Sequence, residues 1–154
     1  MHRREKPANM DSMWTEPDDD ALRDLLQATQ TVAVVGVSPD PFRPSNEVYH
    51  YLKSASDYQL YPVNPMIDQL DGASAYPELA ALPVVPDMVD VFRRPEHLRS
   101  VVAQAIAVGA KSIWLQLGLT DEQLATDAEA AGLRVVMDRC LKVEHARLLQ
   151  SRLW

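Results

Sequence analysis

One cysteine in 154 residues leaves no partner for an internal disulfide and no cysteine cluster to hold zinc. No apolar run approaches the roughly 20 residues that a membrane-spanning helix needs. Basic residues near the amino terminus are not followed by an apolar stretch, so a secretory leader is not expected. Positive charge is also scarce, with 15 Lys and Arg against 22 Asp and Glu and a formal net charge of −7. A nucleic-acid backbone is therefore a poor partner, although a small phosphorylated ligand needs only local donors. Internal repeats and low-complexity tracts are absent. The length suits one domain with a real core and is too short for two. These absences point to a cytoplasmic domain without a membrane or nucleic-acid partner.

What is present is an alternation of two periods. Residues 1–17 mix charged, polar and Pro residues without periodicity and read as an arm, leaving 18–154 as a single domain. Asp18 is expected to cap a helix through Gln30, with Leu22, Leu25 and Leu26 on one face. Short β-branched runs predict strands over 31–36, 58–63, 88–92, 112–117 and 133–137, with a brief edge strand over 73–76. Helical spacing lies between them, over 45–53, from Pro95 to Gly109, from a Thr120/Gln123 capping box to Gly132, and over 142–153. Strands alternating with such helices imply right-handed crossovers and a doubly wound, mostly parallel sheet in three α/β/α layers. The expected strand order is 3-2-1-4-5-6, reversing between the strands that end at Gly36 and Phe92. Ligands of such sheets bind outside the carboxyl ends of the strands, at that switch point.

Five segments lie at those ends: GVSPDPFRPS from Gly36 to Ser45, VNP around Asn64, DVFRRPE around Arg93, WLQLG around Gln116, and MDRCLKVEH from Met137 to His145. A Gly directly after the first strand permits close approach of a phosphate to the backbone. The helix beginning near Ser45 offers unpaired N–H groups, and Arg43 a charge-assisted bond. The dinucleotide pattern G-x-G-x-x-G is not there, because Ser38 and Pro41 occupy its later glycine positions. The acidic residue that would hold a ribose after the second strand is replaced by Asn64-Pro65. Both departures count against a nicotinamide cofactor.

Together the five segments resemble the bacterial and archaeal family of stand-alone coenzyme A-binding proteins. They are similar, more distantly, to the Rossmann-like amino-terminal domain of the succinyl-CoA synthetase α subunit. The resemblance runs from about Thr31 to Leu149. It implies CoA as the ligand, with Gly36, Val37, Ser38, Arg43, Pro44 and Ser45 around its phosphates. It implies further that Asn64 and Pro65 stand beside the adenosine and that Phe92 and Arg93 flank the ligand. Gln116, Leu117 and Gly118, then Arg139, Cys140 and Lys142, would close the site. The synthetase loop is richer in Gly than 38–44 here, and its phosphorylated His belongs to a second domain that is not expected in 154 residues.

Catalytic candidates are few. His2, His50, His97 and His145 read as arm, helix-face or packing residues, although His145 beside Glu144 has the makings of an acid–base pair. Asp121, Glu122, Asp127 and Glu129 read as a solvated helix face and not as a metal site. Cys140 is either a small buried hydrophobe or, between Arg139 and Lys142 at a strand end, a thiol able to form a mixed disulfide with CoA. The leading expectation is a CoA- or acyl-CoA-binding module without catalytic apparatus and with no protein partner specified. The alternative is a small enzyme, either a nicotinamide-dependent oxidoreductase or an acyl-CoA-handling enzyme using Cys140.

Overall fold

The computed structural model describes residues 13–150. Helix α1 (Asp19–Ala28) is capped by Asp18, whose carboxylate accepts from the Ala21 N–H at 2.8 Å. It delivers the chain to β1 (Thr31–Val35). Helix α2 (Pro44–Ala55) and β2 (Gln59–Val63) follow, and then a small hairpin of β3 (Gln69–Leu70) and β4 (Ala73–Ser74). After a 3-10 turn (Leu79–Ala81) come β5 (Met88–Val91), a 3-10 turn (Pro95–His97), α3 (Leu98–Val108) and β6 (Ser112–Leu115). The chain continues through α4 (Glu122–Ala130), β7 (Arg134–Val136) and α5 (Leu141–His145), which runs on as a π turn (Ala146–Gln150).

The main sheet has the order β2-β1-β5-β6-β7 and every pair in it is parallel. This is an α/β Rossmann-like fold. Strands covered on both faces must be apolar on both, and β5 and β6 are buried at every position. One core lies between the sheet and α3–α4, where Val35, Val91, Ile113 and Leu115 meet Val101, Val102 and Ala125. The other lies under α1, α2 and α5, where Val34, Met88 and Trp114 meet Leu22, Tyr49, Leu52 and Leu141. Full burial of each such side chain contributes roughly 1.5–3 kcal/mol. Among the described residues no helix is long and apolar enough to cross a membrane.

Two expectations need correction. The third strand of a six-stranded sheet shrinks to one parallel bridge between Val63 and Tyr76. Ala73 and Ser74 turn back instead onto Leu70 and Gln69. Asp71 and Gly72 take φ of 49° and 82°, the left-handed pair that a two-residue hairpin demands, so a local hairpin won over a longer edge strand. The α4 cap is Asp121 and not Thr120. The Asp121 side chain accepts from the Leu124 N–H at 3.0 Å, while Gln123 reaches forward to Asp127. Trp14, within the expected arm, donates from Nε1 to the Val135 carbonyl and from its backbone to Thr126 Oγ1, both at 2.8 Å. Residues 1–12 of that arm lie outside the described residues, as does the end of the expected 142–153 helix.

Candidate functional site

The carboxyl ends of the parallel strands open into two adjoining clefts on either side of the loop that follows β5. The first, of about 560 Å³, is walled by Gly36, Ser38, Arg43, Pro44, Ser45 and Val48 on one side. Gln116, Leu117, Leu119 and Cys140 form its other side. The second, of about 820 Å³, runs from Gly36 past Asn64, Pro65 and Met66 to Pro77, Glu78 and His97. Phe92, Arg93 and Arg94 border both. The switch point between β1 and β5 thus carries one continuous trough.

Gly36 has φ of 84°, and a Cβ built on it would lie 2.1 Å from the Phe92 carbonyl oxygen. The glycine is therefore demanded by the close approach of the chain after β1 to the chain after β5, before any ligand is considered. The loop after it is held by its own polar groups. The Ser38 N–H donates to Ser45 Oγ at 2.9 Å, Asn46 Nδ2 donates to the Ser38 carbonyl at 2.9 Å, and the Phe42 N–H donates to Asp40 at 2.9 Å. Arg43 is the residue before α2 and Pro44 its first residue; no side chain caps this helix end. Asn64 ties the second loop to the first, donating from Nδ2 to the Val37 carbonyl at 2.9 Å. Its Oδ1 accepts from the Met66 N–H at 2.8 Å.

Charge on the walls of the trough is mainly positive, with Glu78 the one carboxylate among the lining residues. Arg43, Arg93 and Arg94 form no ion pair among the described residues, whereas Arg23, Arg139, Arg147, Lys111 and Lys142 all do. Three unneutralised guanidiniums around one opening suit an anionic ligand.

Below Gln116 lies a buried carboxyl. Asp90, fully buried in β5, accepts from Gln116 Nε2 at 2.5 Å through Oδ1, while its Oδ2 has no partner. Burial pushes its pKa up to about 7, against the opposing effect of the Gln116 bond.

Of the sixteen residues singled out from the sequence, ten line the first cleft, and Asn64 and Pro65 line the second. The others stand apart. Val37 is wholly buried beneath the first loop. Gly118 bonds to Asp138 at 2.8 Å. Arg139 is held between Glu16 and Glu144, each at 2.7 Å, and Lys142 by Glu47 at 2.7 Å. Arg94, Val48 and Leu119 were missed. The doubled Arg of Arg93-Arg94 was a visible signal for the first, and a helix-face Val and a loop Leu offer none. His145 lies away from both clefts, with Nδ1 2.9 Å from the Tyr51 hydroxyl and its pKa lowered by burial.

A Bacillus subtilis (strain 168) protein named uncharacterized protein YneT is 36% identical over 130 residues, covering 84% of this chain and 96% of that one. A solved structure from Thermus thermophilus, cell-free ID.343, superposes with a TM-score of 0.81 at 37% identity, over 86% of this chain and 100% of that one. The α subunit of the ADP-forming acetate–CoA ligase II of Pyrococcus furiosus is 25% identical over 129 residues. That match takes in 76% of this chain but only 28% of the ligase subunit. The model of the CoA binding domain matches residues 30–146, and the chain belongs to that family.

Proposed function

We propose that this protein binds coenzyme A, free or acylated, as a cytoplasmic binding module that performs no chemistry of its own. The observation that carries the reading is the set of three unpaired arginines, Arg43, Arg93 and Arg94, around the switch-point trough of a CoA-binding-family chain. The residues fit the ligand's chemistry. Guanidiniums and the uncapped amino end of α2 suit the phosphates. The cleft of Asn64 and Pro65 suits the nucleoside end. The more apolar cleft of Val48, Phe92, Leu117 and Leu119 suits the pantetheine arm.

Thermal unfolding with CoA, acetyl-CoA, NAD, NADP and ATP tests this directly. A ligand that binds only the folded state stabilises it by about 2.7 kcal/mol at one hundred times its Kd. CoA and acetyl-CoA are expected to raise Tm and the nicotinamide nucleotides to leave it unchanged; a shift with NAD and none with CoA refutes the reading. Arg43→Ala should cost about 1.5–3 kcal/mol of CoA affinity by calorimetry, the scale of a charged hydrogen bond. The enzyme alternative rests on Cys140, which lines the first cleft half-buried. For a non-covalent binder, Cys140→Ser leaves CoA affinity unchanged, and no CoA-sized, reductant-sensitive adduct appears in the intact mass.

A further inference from the structure

The Asp90–Gln116 pair lies under the first cleft and is not explained by phosphate binding. Gln116 is 7% exposed and its polar end has two faces. Nε2 is committed downward to Asp90 Oδ1. Oε1 has no partner among the described residues, and Gln116 lines the cleft, so the group left to meet a ligand is an acceptor. The backbone carbonyl of Gln116 is already taken by the Leu119 N–H at 3.0 Å. In register, Asp90 is flanked by Val34 on β1 and Trp114 on β6, and among the described residues its carboxyl bonds only to Gln116.

We propose that Gln116 determines which ligands the cleft accepts: held by Asp90, its side-chain carbonyl reads an amide N–H on the arm of the ligand. This rests on the CoA reading above, because the pantetheine arm is the part of that ligand that carries secondary amides. A nucleotide without such an arm has nothing to offer Oε1. Asp90 is a positioning residue, not a contact. Ionised, it would repel an amide oxygen turned toward it. Neutral, with its proton on Oδ2, it still accepts from Nε2 through Oδ1. In the arrangement of the structure, with Nε2 on Oδ1, Oε1 is left toward the cleft. The Nε2 bond holds the orientation, and burial favours the neutral form, which spares the fold a sealed charge.

The test compares calorimetric affinities for three kinds of ligand: CoA, adenosine 3′,5′-bisphosphate, and two CoA analogues, each with one amide N–H replaced by methylene. One analogue is expected to bind the wild type roughly five- to tenfold more weakly than CoA, the scale of one neutral hydrogen bond. Gln116→Met should weaken CoA by the same factor, abolish discrimination against that analogue and leave the bisphosphate unaffected. Asp90→Asn keeps a neutral acceptor and should retain the discrimination, whereas Asp90→Ala should lose it. Equal binding of CoA and both analogues to the wild type overturns the assignment while the CoA reading survives. So does equal weakening of CoA and bisphosphate in Gln116→Met, the mark of a merely structural role. If the wild type binds neither CoA nor the bisphosphate, both readings fall together.

Discussion

Gly36, just past β1, and Asp90, within β5, are each constrained by their neighbours. At Gly36 both φ and space forbid a side chain, since a methyl group would lie 2.1 Å from the Phe92 oxygen. Gly36→Ala is expected to destabilise the protein by about 3 kcal/mol or more in urea unfolding, because the obstacle is backbone and not the movable end of a side chain. Wild-type stability in that variant would show that the two strand ends can separate freely. Asp90 makes a prediction in pH. Its folded pKa of about 7 lies above the 3.8 of an ordinary aspartate, so between the two the native state holds a proton that the unfolded chain has released. Its contribution is most favourable below the unfolded value and is lost as pH rises through about 7, a loss on the order of a few kcal/mol. His145 acts oppositely, because burial lowers its pKa and stability falls when acid forces a proton onto it. Subtracting the Asp90→Asn profile from the wild-type profile isolates the carboxyl, and identical slopes would show that Asp90 ionises freely in the fold.

At the scale of elements, helix ends show how close alternatives are decided. Thr120 and Asp121 are adjacent and both are good cap residues, but the Asp121 carboxylate makes the bond to Leu124. Asp121→Ala should cost about 1 kcal/mol by urea unfolding and Thr120→Ala much less; the reverse ranking would restore the capping box. The central strands β1, β5 and β6 were legible because burial on both faces leaves unbroken runs such as the one from Val32 to Val35, a signal that needs no partner to be seen. That Gly36, Arg43, Asn64 and Gln116 would line clefts at the strand ends was legible for the same reason, since a strand's end is read from where its run stops. The ion pairs were not. Arg139 meets Glu16 across a separation of 123 residues, and Lys142 meets Glu47 across 95, so two cations expected in the site are neutralised by partners that no local pattern reveals. The Asp71-Gly72 turn was a local signal, and its two left-handed residues divert the chain before β4 can extend the sheet.

The molecule as a whole presents an electrostatic conflict. Its net charge of −7 repels a phosphorylated ligand, yet the switch-point trough gathers three arginines without intramolecular partners. Distance decides between the two fields. The Debye length is about 8 Å at physiological ionic strength, so acidic groups across the surface are largely screened from the trough, while guanidiniums on its walls act within a few ångströms. Added salt beyond that point has little long-range repulsion left to remove and mainly weakens the close contacts. CoA affinity is therefore expected to fall as salt rises from about 0.15 M to 1 M, where the Debye length shortens to about 3 Å. Measured in Arg43→Ala, the same salt series should be shallower, because one of the screened contacts is gone. An affinity that instead rises with salt would mean that the net charge governs the encounter, and that the arginines, though unpaired, do not face the phosphates.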